Sequence, residues 1–241
     1  MDHFPNQMYG FPTGNSFSPM NIGANASTHP FASLQNQPYS GHMLSIPMMY
    51  APFSPYCSSN CISQAEFNLL LIFRELWEEH ISWTRMAIEA LVFNQPNTNE
   101  TVARLLRNAN DMGKTLMGIY GPKVGSMFAD LIRNHLVVAA DLVKAAIAGD
   151  QAKFADLDKK WTENGIAIAT FLSRVNPYIN FEEFRDLFLQ HLEQTKNDVS
   201  LMIKKEYKMD IEQYDEMQRH IREIADYMTE AIVRQFPHMF M

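Results

Sequence analysis

A twelve-residue stretch, Phe73-Arg74-Glu75-Leu76-Trp77-Glu78-Glu79-His80-Ile81-Ser82-Trp83-Thr84, returns in degraded form as Phe184-Arg185-Asp186-Leu187-Phe188-Leu189-Gln190-His191-Leu192-Glu193-Gln194-Thr195. Phe, Arg, Leu, His and Thr recur at the same five places. Within each copy Phe, His and Thr keep the three-and-four spacing of one helix face, so each copy reads as a helix whose buried seam carries a histidine. A second set, Asp130, His135, Ala140, Asp141, Ala146 and Ile147, is matched by Asp215, His220, Ala225, Asp226, Ala231 and Ile232. An internally duplicated pair of helices accounts for both matches. The fold expected is all-α: an up-and-down bundle of two duplicated helical hairpins plus linking helices.

Local signals divide the bundle. Ser63 with Glu66 forms a capping box ahead of a first helix that runs to about Asn94, with Phe73, Trp77, His80, Thr84, Ala87 and Leu91 along its seam. Asn94-Gln95-Pro96-Asn97 breaks it. A second helical stretch, Thr98 to Tyr120, is expected to be interrupted near Asn108 to Asp111, and Gly121-Pro122 ends it. Pro122 opens a helix to Ala148, which Gly149 stops. Asp150 caps the next, which reaches Asn176-Pro177, and Asn180 with Glu183 caps a fifth. Lys204 to Met209 holds no Gly or Pro, but the duplication asks for a turn there. Asp210 with Gln213 would cap the last helix, which ends at Phe236-Pro237.

Charge is distributed unevenly. Residues 1–65 carry one charged side chain, Asp2, while all 20 Lys and Arg lie beyond them. Residues 1–61 are rich in Pro, Gly, Ser, Asn, Met and aromatics without helical or strand period, and are expected to be a disordered tail before a bundle domain at 62–241. Aromatic and Met side chains spaced on such a chain suit self-association or a protein partner. With a net charge of −7 and no basic arm, nucleic acid is excluded as the expected partner. No run of 18 apolar residues and no signal-peptide pattern is present, which makes the expected location cytoplasmic.

Candidate chemistry rests on four histidines. His80 lies 14 residues before Asn94 and His135 lies 13 after Pro122; His191 and His220 lie 14 before and 15 after Lys205. At 1.5 Å per residue all four fall about 20 Å from a turn, on one level of the bundle. Di-iron spacing fails, because Trp77, Ile132, Phe188 and Met217 stand three residues before them, and Thr84, Ala139, Thr195 and Ile224 four after. Two readings stand. One is a transition-metal site of His80, His135, His191 and His220 with Asp130, Asp141, Asp215 and Asp226 as hydrogen-bond partners behind them. The other is a layer of neutral core histidines that fixes helix pairing and needs no cofactor. Trp77, Trp83 and Trp161 read as core. Cys57 and Cys61 form a Cys-x-x-x-Cys suited to a cross-link between chains. No catalytic motif is found, and the expected function is a non-enzymatic structural or interaction protein with a rigid bundle and an adhesive tail.

The runs Leu76-Trp77-Glu78-Glu79-His80-Ile81-Ser82-Trp83-Thr84-Arg85-Met86, Phe128-Ala129-Asp130-Leu131 with His135-Leu136-Val137, and Ile232-Val233-Arg234-Gln235-Phe236-Pro237 resemble a family of short proteins of spore-forming Firmicutes. The resemblance spans about Ile62 to Phe240. It implies spore association, and the Pro-, Gly-, Tyr- and Met-rich leader is similar to the tails of spore-coat proteins at the level of class. Some members carry the label acetylglutamate kinase, which would imply that activity. The residues themselves show no strand pattern and no Gly-rich phosphate loop.

Overall fold

The computed structural model describes residues 61–241. They form six helices, α1 (Gln64–Val92), α2 (Thr98–Tyr120), α3 (Pro122–Ala148), α4 (Gln151–Val175), α5 (Phe181–Lys204) and α6 (Tyr207–Gln235), closed by a 3-10 turn at Pro237–Met239. The chain is an all-α, up-and-down bundle built on a repeated hairpin. None of the helices in the described residues is long and apolar enough to cross a membrane. The tail and Cys57 fall outside the described residues, and with them the expected cross-link; Cys61 is disulfide-bonded.

Helix ends follow from local chemistry. Ser63, Asp150 and Asn180 each accept a hydrogen bond from the backbone N–H three residues on, satisfying a donor that the first turn leaves unpaired. Gly121, at φ 84°, reverses the chain between α2 and α3 in a single residue, and Pro122 begins α3 with a φ already suited to it. Lys205, at φ 62°, ends α5, so the turn expected between Lys204 and Met209 is present.

Two boundary expectations are corrected. α2 runs unbroken through Asn108–Asp111, because the amide of Asn108 is engaged by α1 rather than by its own backbone. α6 begins at Tyr207, before Asp210, and has no side-chain cap. Asp210 instead turns inward. There it and Asp198 share Arg85, whose Nη1 lies 2.8 Å from Asp198 Oδ1 and whose Nη2 lies 2.7 Å from Asp210 Oδ2. One guanidinium thus ties α1, α5 and α6 together.

The repeat extends beyond two copies. Phe73-x-Glu75-Leu76-x-x-x-His80-Ile81 is followed by Phe128-x-Asp130-Leu131-x-x-x-His135-Leu136 and by Phe184-x-Asp186-Leu187-x-x-x-His191-Leu192. The copies recur about every 55 residues, and each opens one hairpin: α1–α2, α3–α4 and α5–α6. The counterpart of His80 and His191 is therefore His135, whereas His220 sits on a second helix of a hairpin. Burial obeys the same threefold register. Leu105, Trp161 and Met217 are buried at equivalent places on α2, α4 and α6, as are Met112, Ile168 and Ile224. Each helix packs on its neighbours in chain order, α6 closes on α1, and α1, α3 and α5 also touch one another along the middle.

The tightest pairing is α2 on α3. A Cβ on Gly113 would lie 2.6 Å from Ala129 Cβ, and one on Gly125 would lie 2.5 Å from Gly113 O. Only hydrogens fit between the two backbones at that crossing.

Candidate metal centre

His80, His135 and His191 occur at the same place on the three inner helices, so their side chains meet on the bundle's central line. One ring nitrogen from each lies within 4.8 Å of the others. All three side chains are buried. The ring centroids are 6.2 Å apart for His80 and His135, 5.6 Å for His80 and His191, and 5.9 Å for His135 and His191.

Hydrogen bonds fix which nitrogens face inward. Nδ1 of His80 is 3.2 Å from Asn108 Oδ1, and Nδ1 of His135 is 3.1 Å from Asn164 Oδ1. The amide groups cannot be the other way round, since Asn108 Nδ2 donates to Leu76 O and Asn164 Nδ2 donates to Leu131 O. A carbonyl only accepts, so each Asn presents its oxygen to the ring, and each ring must donate from Nδ1–H. The lone pair is left on Nε2. A metal-ligating histidine has this arrangement, with the far N–H held by a polar group behind it. Both Asn residues lie 28 or 29 positions after their histidine, on the second helix of the same hairpin.

The third hairpin departs from the pattern. His220 stands at the position of Asn108 and Asn164, and its Nε2–H donates to Leu187 O at 2.8 Å while Nδ1 lies 3.2 Å from Glu223 Oε2. Leu187, like Leu76 and Leu131, precedes a central histidine by four residues. His220 therefore bonds the equivalent backbone carbonyl and stands outside the cluster of ring nitrogens formed by His80, His135 and His191. No hydrogen bond holds the ring of His191 among the described residues.

Burial holds the rings neutral. It pushes His80 down to about 4 against a single opposing hydrogen bond, from Asn108. Burial together with the neighbouring His80 pushes His135 down to about 3. His191 lies well below the ordinary value for the same first reason, with His80, His135 and His220 adding to it.

The four aspartates expected behind the histidines are elsewhere. Asp130 and Asp215 are exposed, Asp141 pairs with Lys144, and Asp226 pairs with Arg74 at 2.6 Å. Each occupies an outer angle of its helix. Asn108 and Asn164 take the role instead, and their signal was a polar amide on an otherwise apolar helix seam at a fixed interval after each histidine.

Toward the N-terminal ends of the inner helices, Trp77 and Phe188 pack edge-on against the histidine layer. On the opposite side lies a cavity of about 30 Å³ between Thr84, Ala87, Ala139, Val143, Trp161 and Val199. Its threonines face their own backbone: Thr84 Oγ1 donates to His80 O and Thr195 Oγ1 to His191 O. The chamber is consequently apolar except for the imidazole nitrogens, the indole of Trp161 and the side chain of Lys196 at its wall.

A family-model scan, a search of curated proteins and a search of solved structures each find no match to the chain.

Proposed function

We propose that this protein binds one transition-metal ion through Nε2 of His80 and His135 and a ring nitrogen of His191. The observation that carries this is the convergence of three buried, neutral imidazoles, two of them held in the ligating tautomer. A purely structural layer would pair its nitrogens, since unpaired buried polar groups are costly. Here one ring nitrogen of each lies near the other two with no hydrogen bond between them. Metal–nitrogen bonds of about 2.0–2.1 Å require nitrogens about 3.3 Å apart in a tetrahedral site, so from 4.8 Å each ring moves inward by at most about 0.9 Å.

Imidazole ligands suit Zn, Cu, Fe or Ni, and three protein ligands leave a coordination position toward the cavity. Such an open position belongs to sites that bind or transform a small molecule. The test is elemental analysis of the untagged full-length protein, purified in air and again under reducing conditions, followed by Co(II) titration of the stripped protein. One metal per chain, lost in His80→Ala with His191→Ala, is expected. Absence of stoichiometric metal from both preparations, with no Co(II) ligand-field band on titration, removes the proposal.

A further inference from the structure

Resting on that metal reading, we infer that the open coordination position takes a small monovalent anion of one to three non-hydrogen atoms, held by a hydrogen bond from Trp161 Nε1–H. Three features lead to this ligand class. The first is charge. Three neutral imidazoles leave the whole charge of a divalent ion in an apolar chamber, and no carboxylate lines it. Its one ionic neighbour, Lys196, is itself cationic and is already paired with Asp158 and Glu193. A buried charge must be neutralised nearby, and the remaining ligand is the only place to do so.

The second is size. A cavity of about 30 Å³ exceeds the roughly 10–15 Å³ that one water needs by only a factor of two or three. Hydroxide, cyanide or azide fit; a carboxylic acid with a chain does not.

The third is the donor. Trp161 is 1% exposed, lines the cavity and packs with its ring centroid 5.1 Å from that of His135 at a tilt of 30°, yet its Nε1–H has no partner among the described residues. Buried indoles ordinarily find an acceptor. The threonine hydroxyls are committed to the backbone, so Trp161 supplies the remaining N–H for a ligand bound at the metal.

Azide is the probe. Full-length protein loaded with Co(II) is titrated with sodium azide and followed by visible absorption, in wild type and in Trp161→Phe. One azide per metal is expected, with binding at least tenfold weaker in the variant and Co(II) affinity unchanged, as removal of a hydrogen bond to a charged group implies. If the variant folds poorly, the Zn(II)-loaded wild type labelled with ¹⁵N gives the same information. The chain has three tryptophans, and the indole N–H of Trp161 must shift on azide addition. Co(II) uptake without an azide response, equal azide affinity in Trp161→Phe, or an unmoved indole resonance each overturns the anion inference while leaving the metal site standing. Failure to take up Co(II) at all overturns both.

Discussion

The stability of the metal-free protein should fall steeply in mild acid, and the three central histidines determine by how much. In the unfolded chain each ring titrates near 6.5; in the bundle burial holds His80 at about 4, His135 at about 3 and His191 well below its usual value. The folded pKa values are depressed, so for these bases stability is fully present above the unfolded value. It drains away below that, as the unfolded chain takes up protons that the native rings refuse. Between pH 7.5 and 5.5 each ring contributes a loss of about 1.3 kcal/mol, a figure that holds for any folded value below about 5. Three rings make about 4 kcal/mol. With a urea dependence of about 2 kcal/mol per molar for a domain of this size, the midpoint should move down by about 2 M. Urea unfolding of chelator-treated full-length protein at the two pH values provides the assay, and His191→Gln provides the control. The variant should lose about a third of the shift. Other titrating groups are common to both proteins and cancel in the comparison. A variant with the same pH shift as wild type, or a wild type more stable at pH 5.5, would refute a neutral, desolvated triad.

Asn108→Ala removes the acceptor of His80 Nδ1–H and the side-chain donor to Leu76 O; Co(II) affinity, measured by competition with a chelator, should drop about 10- to 100-fold. Gly113→Ala forces a methyl into a 2.6 Å approach to Ala129, and thermal unfolding should show a loss of about 1–3 kcal/mol or more. Burial, and further the hydrogen bond with Asp210, push Asp198 up to about 8 against the neighbouring Arg85 guanidinium. Because that folded value is raised, its contribution is fully present below the unfolded value near 3.8 and is lost as the pH climbs through 8. Asp198→Asn, neutral at every pH, should therefore be nearly equal to wild type near pH 4 and pull steadily ahead of it, by urea midpoint, as the pH rises to 8.

Helix positions and caps were legible because Ser63, Asp150, Asn180, Pro122 and Gly149 act on their own neighbours. The histidine seam was legible for the same reason: Phe73, Trp77, His80 and Thr84 keep helical spacing within one element. What could not be read was pairing at a distance. The middle copy of the repeat keeps Phe128, Leu131 and His135 but has Ala129 for the Arg and Ala139 for the Thr. On spacing alone His135 therefore aligns with His220 rather than with His80 and His191. Asn108 looked like a helix breaker because its propensity is poor, whereas its side chain bonds across to α1 and gains there what it costs locally. Asp210 looked like a cap for a similar reason. Its real partner, Arg85, lies 125 residues away, and nothing in the spacing announces that.

Each hairpin supplies a single ligand, so a free hairpin would meet its two counterparts only by collision, and a site assembled that way would come apart on dilution. Linking the three hairpins through Gly121 and through Asn176–Asn180 replaces that encounter with an effective concentration of the order of millimolar, whatever the amount of protein in solution. The linkage also frees the copies from identity. An assembly of three equal chains must place the same side chain behind every histidine. This chain places Asn108 and Asn164 behind two of them and commits His220 to the Leu187 carbonyl behind the third. His191 is left as the ring whose tautomer no hydrogen bond fixes, while those of its two neighbours are held.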